Sequence, residues 1–195
     1  MSTKFIDFKN PKNDLENCEI IMLDTCTIIN LAAGDTNTLD FAKFTLNNDI
    51  ILCYSSKTEE ELQIIQESKI IPRNKKVANL NMNNYLKNSY NSTDSILNTV
   101  HSLPNMFPNS IEFSGEGLNK ISRENALIHN LKWGDAVIYT IAKNNGIKCI
   151  WSHDKDWTSV QDDEMTIITE GRFIPNNSAS LIDSQECATE ENKDD

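Results

Sequence analysis

Four acidic residues stand where chemistry could gather: Asp24, Glu61, Asp135 and Asp154. Asp24 directly follows the apolar run Ile20–Leu23, and Asp154 follows the run 148–152 with one residue between. Glu61 ends the triplet Glu59-Glu60-Glu61 a few residues after the run 49–54, and Asp135 opens an apolar helical segment. In open parallel sheets, sites form beyond the carboxyl ends of the strands, so all four can converge on one sheet edge. Carboxylates so gathered repel one another, and either their pKa values rise or cations neutralise them. Oxygen-only ligands favour Mg²⁺ or Mn²⁺ over zinc, and because Mg²⁺ takes only one or two carboxylates, two ions sharing four acids is a reasonable complement.

The elements that must position these acids are short. Strands are expected at Ile20–Leu23, 49–54, 148–152 and 165–169, each a brief apolar run with β-branched members. Helices are expected over 25–33, 39–46 and 58–69, the last opened by a capping box of Thr58 and Glu61 and ended by Pro72. Further helices are expected at 75–88, 92–102, 123–131 and 133–144, the last closed by Gly146. Buried strands alternating with helices indicate an α/β fold, three layers with a mainly parallel central sheet. Residues 1–19 read as a polar lead-in, 20–175 as the functional domain with a helical insertion over about 73–120, and 176–195 as an acidic tail expected to be disordered.

The 195 residues suit one domain with a sizeable core. No apolar h-region opens the chain, and no run is long enough to span a bilayer, so neither a signal peptide nor a membrane segment is expected. Five cysteines without C-x-x-C spacing, with Cys53 and Cys149 reading as buried thiols, point to a reducing cytoplasm. The net charge of −11 argues against a nucleic-acid partner. However, the stretch 183–195 alone carries −5, leaving −6 elsewhere, and four of those charges belong to the candidate site. The remaining surface is close to neutral.

In this order and context, four motifs resemble the PIN domain, and within it toxin endoribonucleases of the VapC kind. They are an apolar strand into Asp24-Thr25; Ser55-Ser56-Lys57-Thr58-Glu59-Glu60-Glu61-Leu62 as S-x-x-T-x-x-E-L; Asp135-Ala136-Val137-Ile138 as D-A-x-I; and Ser152-His153-Asp154-Lys155-Asp156-Trp157 after a strand. The second motif selects Glu61 from its triplet. The resemblance covers roughly residues 20–170 and is poor over 70–122. It implies metal-dependent hydrolysis of RNA phosphodiester bonds with two Mg²⁺ or Mn²⁺ ions. Asp24, Asp135 and Asp154 would be ligands, Glu61 a ligand through water or an orienting group, and Asp156 an auxiliary ligand. Thr25 and Ser152 would hydrogen-bond the carboxylates. Arg73, Lys75, Lys76 and His153 are candidate RNA contacts. An antitoxin protein and a second copy of the chain are the implied partners.

Simpler readings stand beside these. Asp24 can serve as a helix N-cap, Glu59 to Glu61 as a solvated helix start, Asp135 as a dipole-compensating residue, and Asp154-Lys155-Asp156 as a turn. His153 reads as an exposed loop histidine, and Trp133, Trp151 and Trp157 as core or rim. Among other functions, a haloacid-dehalogenase-like phosphatase needs D-x-D where this chain has Cys26 in second place. A receiver domain needs an acidic pair at the end of the first strand, which this chain lacks, and a PIN-like scaffold without activity would be signalled by loss of the acids, all four of which are present.

Overall fold

The computed structural model of the chain describes residues 3–11, 15, 18–70 and 82–175. Five strands, β1 (Lys4–Asp7), β2 (Ile20–Leu23), β3 (Ile51–Tyr54), β4 (Cys149–Trp151) and β5 (Thr166–Thr169), form one sheet in the order β1-β5-β4-β2-β3. Every pairing is parallel. Among the described residues six α-helices flank the sheet: α1 (Thr25–Ala32), α2 (Thr36–Asn47), α3 (Ser56–Ile70), α4 (Met82–His101), α5 (Leu118–His129) and α6 (Trp133–Asn144). Both sheet faces are covered, which is why the strands read as continuous apolar runs. Ile21, Leu23, Leu52, Tyr54 and Trp151 face a core shared with α1 to α4. Met22, Cys53, Ile150 and Ile167 face α6, with α5 packed against α6. The expected three-layer α/β/α architecture is therefore present.

Four differences from the sequence reading matter. First, part of the lead-in is a sheet member: β1 pairs along its length with β5, and Ile6 and Phe8 are buried in the core. Each face of this short edge strand joins one apolar residue to one charged residue, Ile6 with Lys4 and Phe5 with Asp7, too weak a pattern to stand out. Second, the two helices expected between 75 and 102 are, within the described residues, the single helix α4. Its buried face is Ser89, Thr93, Leu97 and Val100, a helical spacing half written in hydroxyls. Gln63 of α3 satisfies that polar half, donating to Ser89 Oγ at 2.8 Å and accepting from Thr93 at 2.9 Å; beside it Ser92 donates to Gln66 at 3.0 Å.

Third, α3 starts one turn earlier than the capping box predicts. Ser55 is the cap: its Oγ accepts from Thr58 N–H at 3.1 Å, while Thr58 itself is fully buried. Glu61 is thus in the second turn, released from any capping duty. Fourth, Cys149 is not a thiol. It forms a disulfide with Cys18, Cα atoms 6.2 Å apart, because the parallel register brings the starts of β2 and β4 together across 131 residues of sequence. Cys53 remains a buried free thiol.

The loop after α4 runs beside β3. Leu52 N–H donates to Asn105 O, and Phe107 and Ile111 N–H groups donate to Leu52 and Tyr54 carbonyls. This covers the open sheet edge. Among the described residues no helix is long and apolar enough to cross a membrane.

Because β1 is part of the core, Ile6→Ala should cost about 2–4 kcal/mol. For a chain of this size that is a fall in Tm of roughly 4–16 °C, read by calorimetry. A dispensable lead-in would leave Tm unmoved.

Candidate active site

The site forms at the carboxyl edge of β2 and β4. Asp24 follows β2, which is flanked by β3 and β4, and is only 4% exposed. A carboxylate this buried needs donors. Its Oδ1 accepts from Thr25 N–H at 2.7 Å, which makes it the α1 N-cap. Its Oδ2 accepts from Ser152 Oγ at 2.7 Å, the Trp157 indole N–H at 3.2 Å and the Cys26 thiol at 3.1 Å. Asp24 is therefore both a helix cap and the centre of a network that ties β2, α1 and the β4 loop together. Burial and the neighbouring Asp24 charge hold the Cys26 thiol protonated, as a donor.

Ser152 connects the centre to the next acid, accepting from Asp154 N–H at 2.9 Å. Asp154 caps the short 3-10 turn Lys155–Ser159, accepting from Asp156 N–H at 3.0 Å. Glu61, on α3, accepts from the Thr25 hydroxyl at 2.7 Å. Burial raises its pKa, Asp24 and Glu60 add to the rise, and Thr25 and Lys57 oppose it. Asp135 lies in the first turn of α6, whose N-terminus has no side-chain cap. Burial, then the charges of Asp24, Glu61 and Asp154 in turn, push the Asp135 carboxyl up to about 7. Four acids that sequence separates thus act on one another in space.

They do not close on one another. Among the described residues no three His, Cys, Asp or Glu side chains stand close enough to hold one ion. Like charges keep apart, and Asp24 turns its oxygens to protein donors. The donor chemistry nevertheless fits a hard divalent cation held by one or two carboxylates and waters. The oxygens are all carboxylate or hydroxyl, and an excess of negative charge is focused on Asp135.

The other candidates are distributed differently. Asp156 is paired with Lys132, Oδ2 to Nζ 2.5 Å. His153 is not an exposed loop residue. Its side chain is 9% exposed, packed on Phe8 at 4.7 Å between ring centroids and reached by Thr38 Oγ1 at 3.3 Å, so it offers a substrate little surface. Arg73, Lys75 and Lys76 lie outside the described residues. Sequence reasoning missed Cys26 as a donor to Asp24, and it left Trp157 as core or rim. The position of Trp157 in the last motif, three residues after Asp154, was the available signal for its role.

A family model for the PIN domain matches residues 21–163, and the chain belongs to that family. PIN domains are generally nucleases and generally use divalent metal ions. No curated protein matches the chain significantly. Among solved structures, a chain of VapBC2 from Rickettsia felis, crystallised with a DNA fragment from their promoter, is similar with a TM-score of 0.51 and 15% identity. The match covers 77% of this chain and 98% of that one. A chain of FitAcB from Neisseria gonorrhoeae gives a TM-score of 0.42 at 17% identity, covering 76% of this chain and 96% of that one. The first of these, at 15% identity, is a likeness of fold.

The raised Asp135 carboxyl has a consequence for stability. Its folded pKa of about 7 lies above the ordinary 3.8, so between those values the folded state holds a proton that the unfolded state has lost. Stability therefore falls as pH rises from about 4 to 7. In metal-free buffer at pH 7.5, Asp135→Asn should raise Tm, by roughly 3 °C or more, and should flatten the pH dependence above pH 4. Equal slopes for the two proteins would show that the acids do not interact.

Proposed function

We propose that the chain is a metal-dependent endoribonuclease, hydrolysing RNA phosphodiester bonds at the edge formed by Asp24, Glu61, Asp135 and Asp154. The observation that supports this reading is the gathering of Asp24, Glu61 and Asp154 around Asp135, whose carboxyl is pushed up to about 7 by burial and then by the charges of the other three. Such a site is costly to the fold unless a cation relieves it. Two Mg²⁺ or Mn²⁺ ions are the proposed complement, and bound there they would lower the pKa of a water and stabilise charge on the leaving oxygen.

The chain's own residues do the positioning. Asp24, fixed by Thr25, Ser152, Trp157 and Cys26, is the immobile reference. Asp135 and Asp154 would be further ligands beside it. Glu61, whose carboxylate accepts from the Thr25 hydroxyl, would ligate through a water or orient the attacking one. Asp156, tied to Lys132, supports the loop that carries Asp154 and is the auxiliary acid of the set. The all-acid edge favours a substrate whose phosphates arrive with metal rather than with arginine or lysine alone.

A small antitoxin protein and self-association as a homodimer belong to the same proposal, and their support is the motif-level resemblance to VapC toxins. A cytoplasmic location follows from an RNA substrate rather than from the cysteines, since Cys18 and Cys149 are bonded.

The purified chain should cleave structured RNA in Mg²⁺ or Mn²⁺ and not in EDTA. Asp24→Asn should lose at least a thousandfold in cleavage rate (about 4 kcal/mol of barrier) while keeping a cooperative melt. Cleavage surviving in EDTA, or in folded Asp24→Asn, would remove the mechanism.

A further inference from the structure

Gly134 is out of place by helix chemistry. It sits in the first turn of α6 with an ordinary helical backbone, since it is not among the positive-φ glycines of the described residues. Conformation therefore does not require glycine, and glycine in a helix costs up to about 1 kcal/mol relative to alanine. Helix α6 is also the most deeply buried helix, with seven consecutive buried residues from Ala136 to Ala142. A weakening residue at its start needs a reason in packing.

The reason lies on α3. A Cβ built on Gly134 would stand 3.0 Å from Glu61 Cδ and would overlap Glu61 Oε1. The Glu61 carboxylate thus occupies the space that any side chain at 134 would fill. From there its other oxygen accepts from the Thr25 hydroxyl at 2.7 Å, and its charge is the second-largest carboxylate influence on Asp135, after Asp24. The berth also sets a carboxylate against a helix N-terminus that has no side-chain cap, a placement the helix dipole favours.

We propose that Gly134 is a positioning residue for the active site: its missing side chain makes the berth that holds Glu61 between Thr25 and Asp135. The obstructed group is the far end of a flexible side chain. Filling the berth should therefore swing Glu61 away at little cost to the fold and at high cost to the site. This inference rests on the metal-dependent reading above.

The test is a double-mutant cycle on the full chain, with Mn²⁺ affinity by calorimetry, RNA cleavage and Tm as readouts. Gly134→Ala should keep or raise Tm, and should weaken Mn²⁺ binding and slow cleavage by roughly ten- to a hundredfold. In a Glu61→Asp background the shorter acid no longer reaches the new methyl group, so adding Gly134→Ala should change Mn²⁺ affinity by less than about twofold. Unchanged affinity and cleavage in Gly134→Ala would overturn the proposal. So would an equal loss in both backgrounds, or a Tm drop that accounts for the loss. Absence of Mn²⁺ binding by the unsubstituted chain would instead remove the metal-dependent reading itself, and this inference with it.

Discussion

Asp24 has almost no contact with water, and a carboxylate in that position costs several kcal/mol unless donors surround it. The donors come from three parts of the chain: Thr25 and Cys26 at the start of α1, Ser152 at the end of β4, and Trp157 in the turn beyond. Holding one charge therefore fixes the relation of β2, α1, β4 and the Asp154 loop. Trp157 is fully buried, so its indole both fills the core beneath α6 and donates to the carboxylate. Packing and chemistry share the same side chain.

The sheet makes this arrangement possible. With all strands parallel, every carboxyl end points to one edge, and β2 has a neighbour on each side. Asp24 is central for that reason, and the acids carried by α3, α6 and the β4 loop arrive around it. Their shared field is the functional asset and also the structural burden. The Asp135 carboxyl, pushed up to about 7, is where the burden is greatest. On the metal-dependent reading proposed above, such a site would trade stability of the metal-free fold for affinity toward a cation.

Much of this was legible in the sequence, and the exceptions have physical causes. Strand β2 and helix α6 are strongly patterned and uninterrupted, so their limits were expected where they occur. The order of acids against strand ends was enough to suggest a common edge. Strand β1 was not legible because an edge strand carries half a pattern. Helix α4 reads as two because Ser89 and Thr93 bury hydroxyls, whose shared partner Gln63 is visible only once α3 lies alongside. The cap of α3 was misplaced by one turn because Ser55 and Thr58 are both good cap residues, and only the fold shows which one is buried behind the other. The Cys18–Cys149 pair depends on sheet register alone. Gly134 is the extreme case: its sequence signal is a cost, and its benefit is empty space that another helix fills.

The central claim is that four separated acids form one electrostatic unit that divalent cations would neutralise. It is tested most directly by following the melting temperature of the purified chain at pH 7.5 while Mn²⁺ is titrated in. A saturable rise in Tm, about 2.7 kcal/mol of stabilisation at a hundredfold excess over Kd, is the predicted result. A Tm indifferent to Mn²⁺ and to Mg²⁺ across the titration would contradict the account.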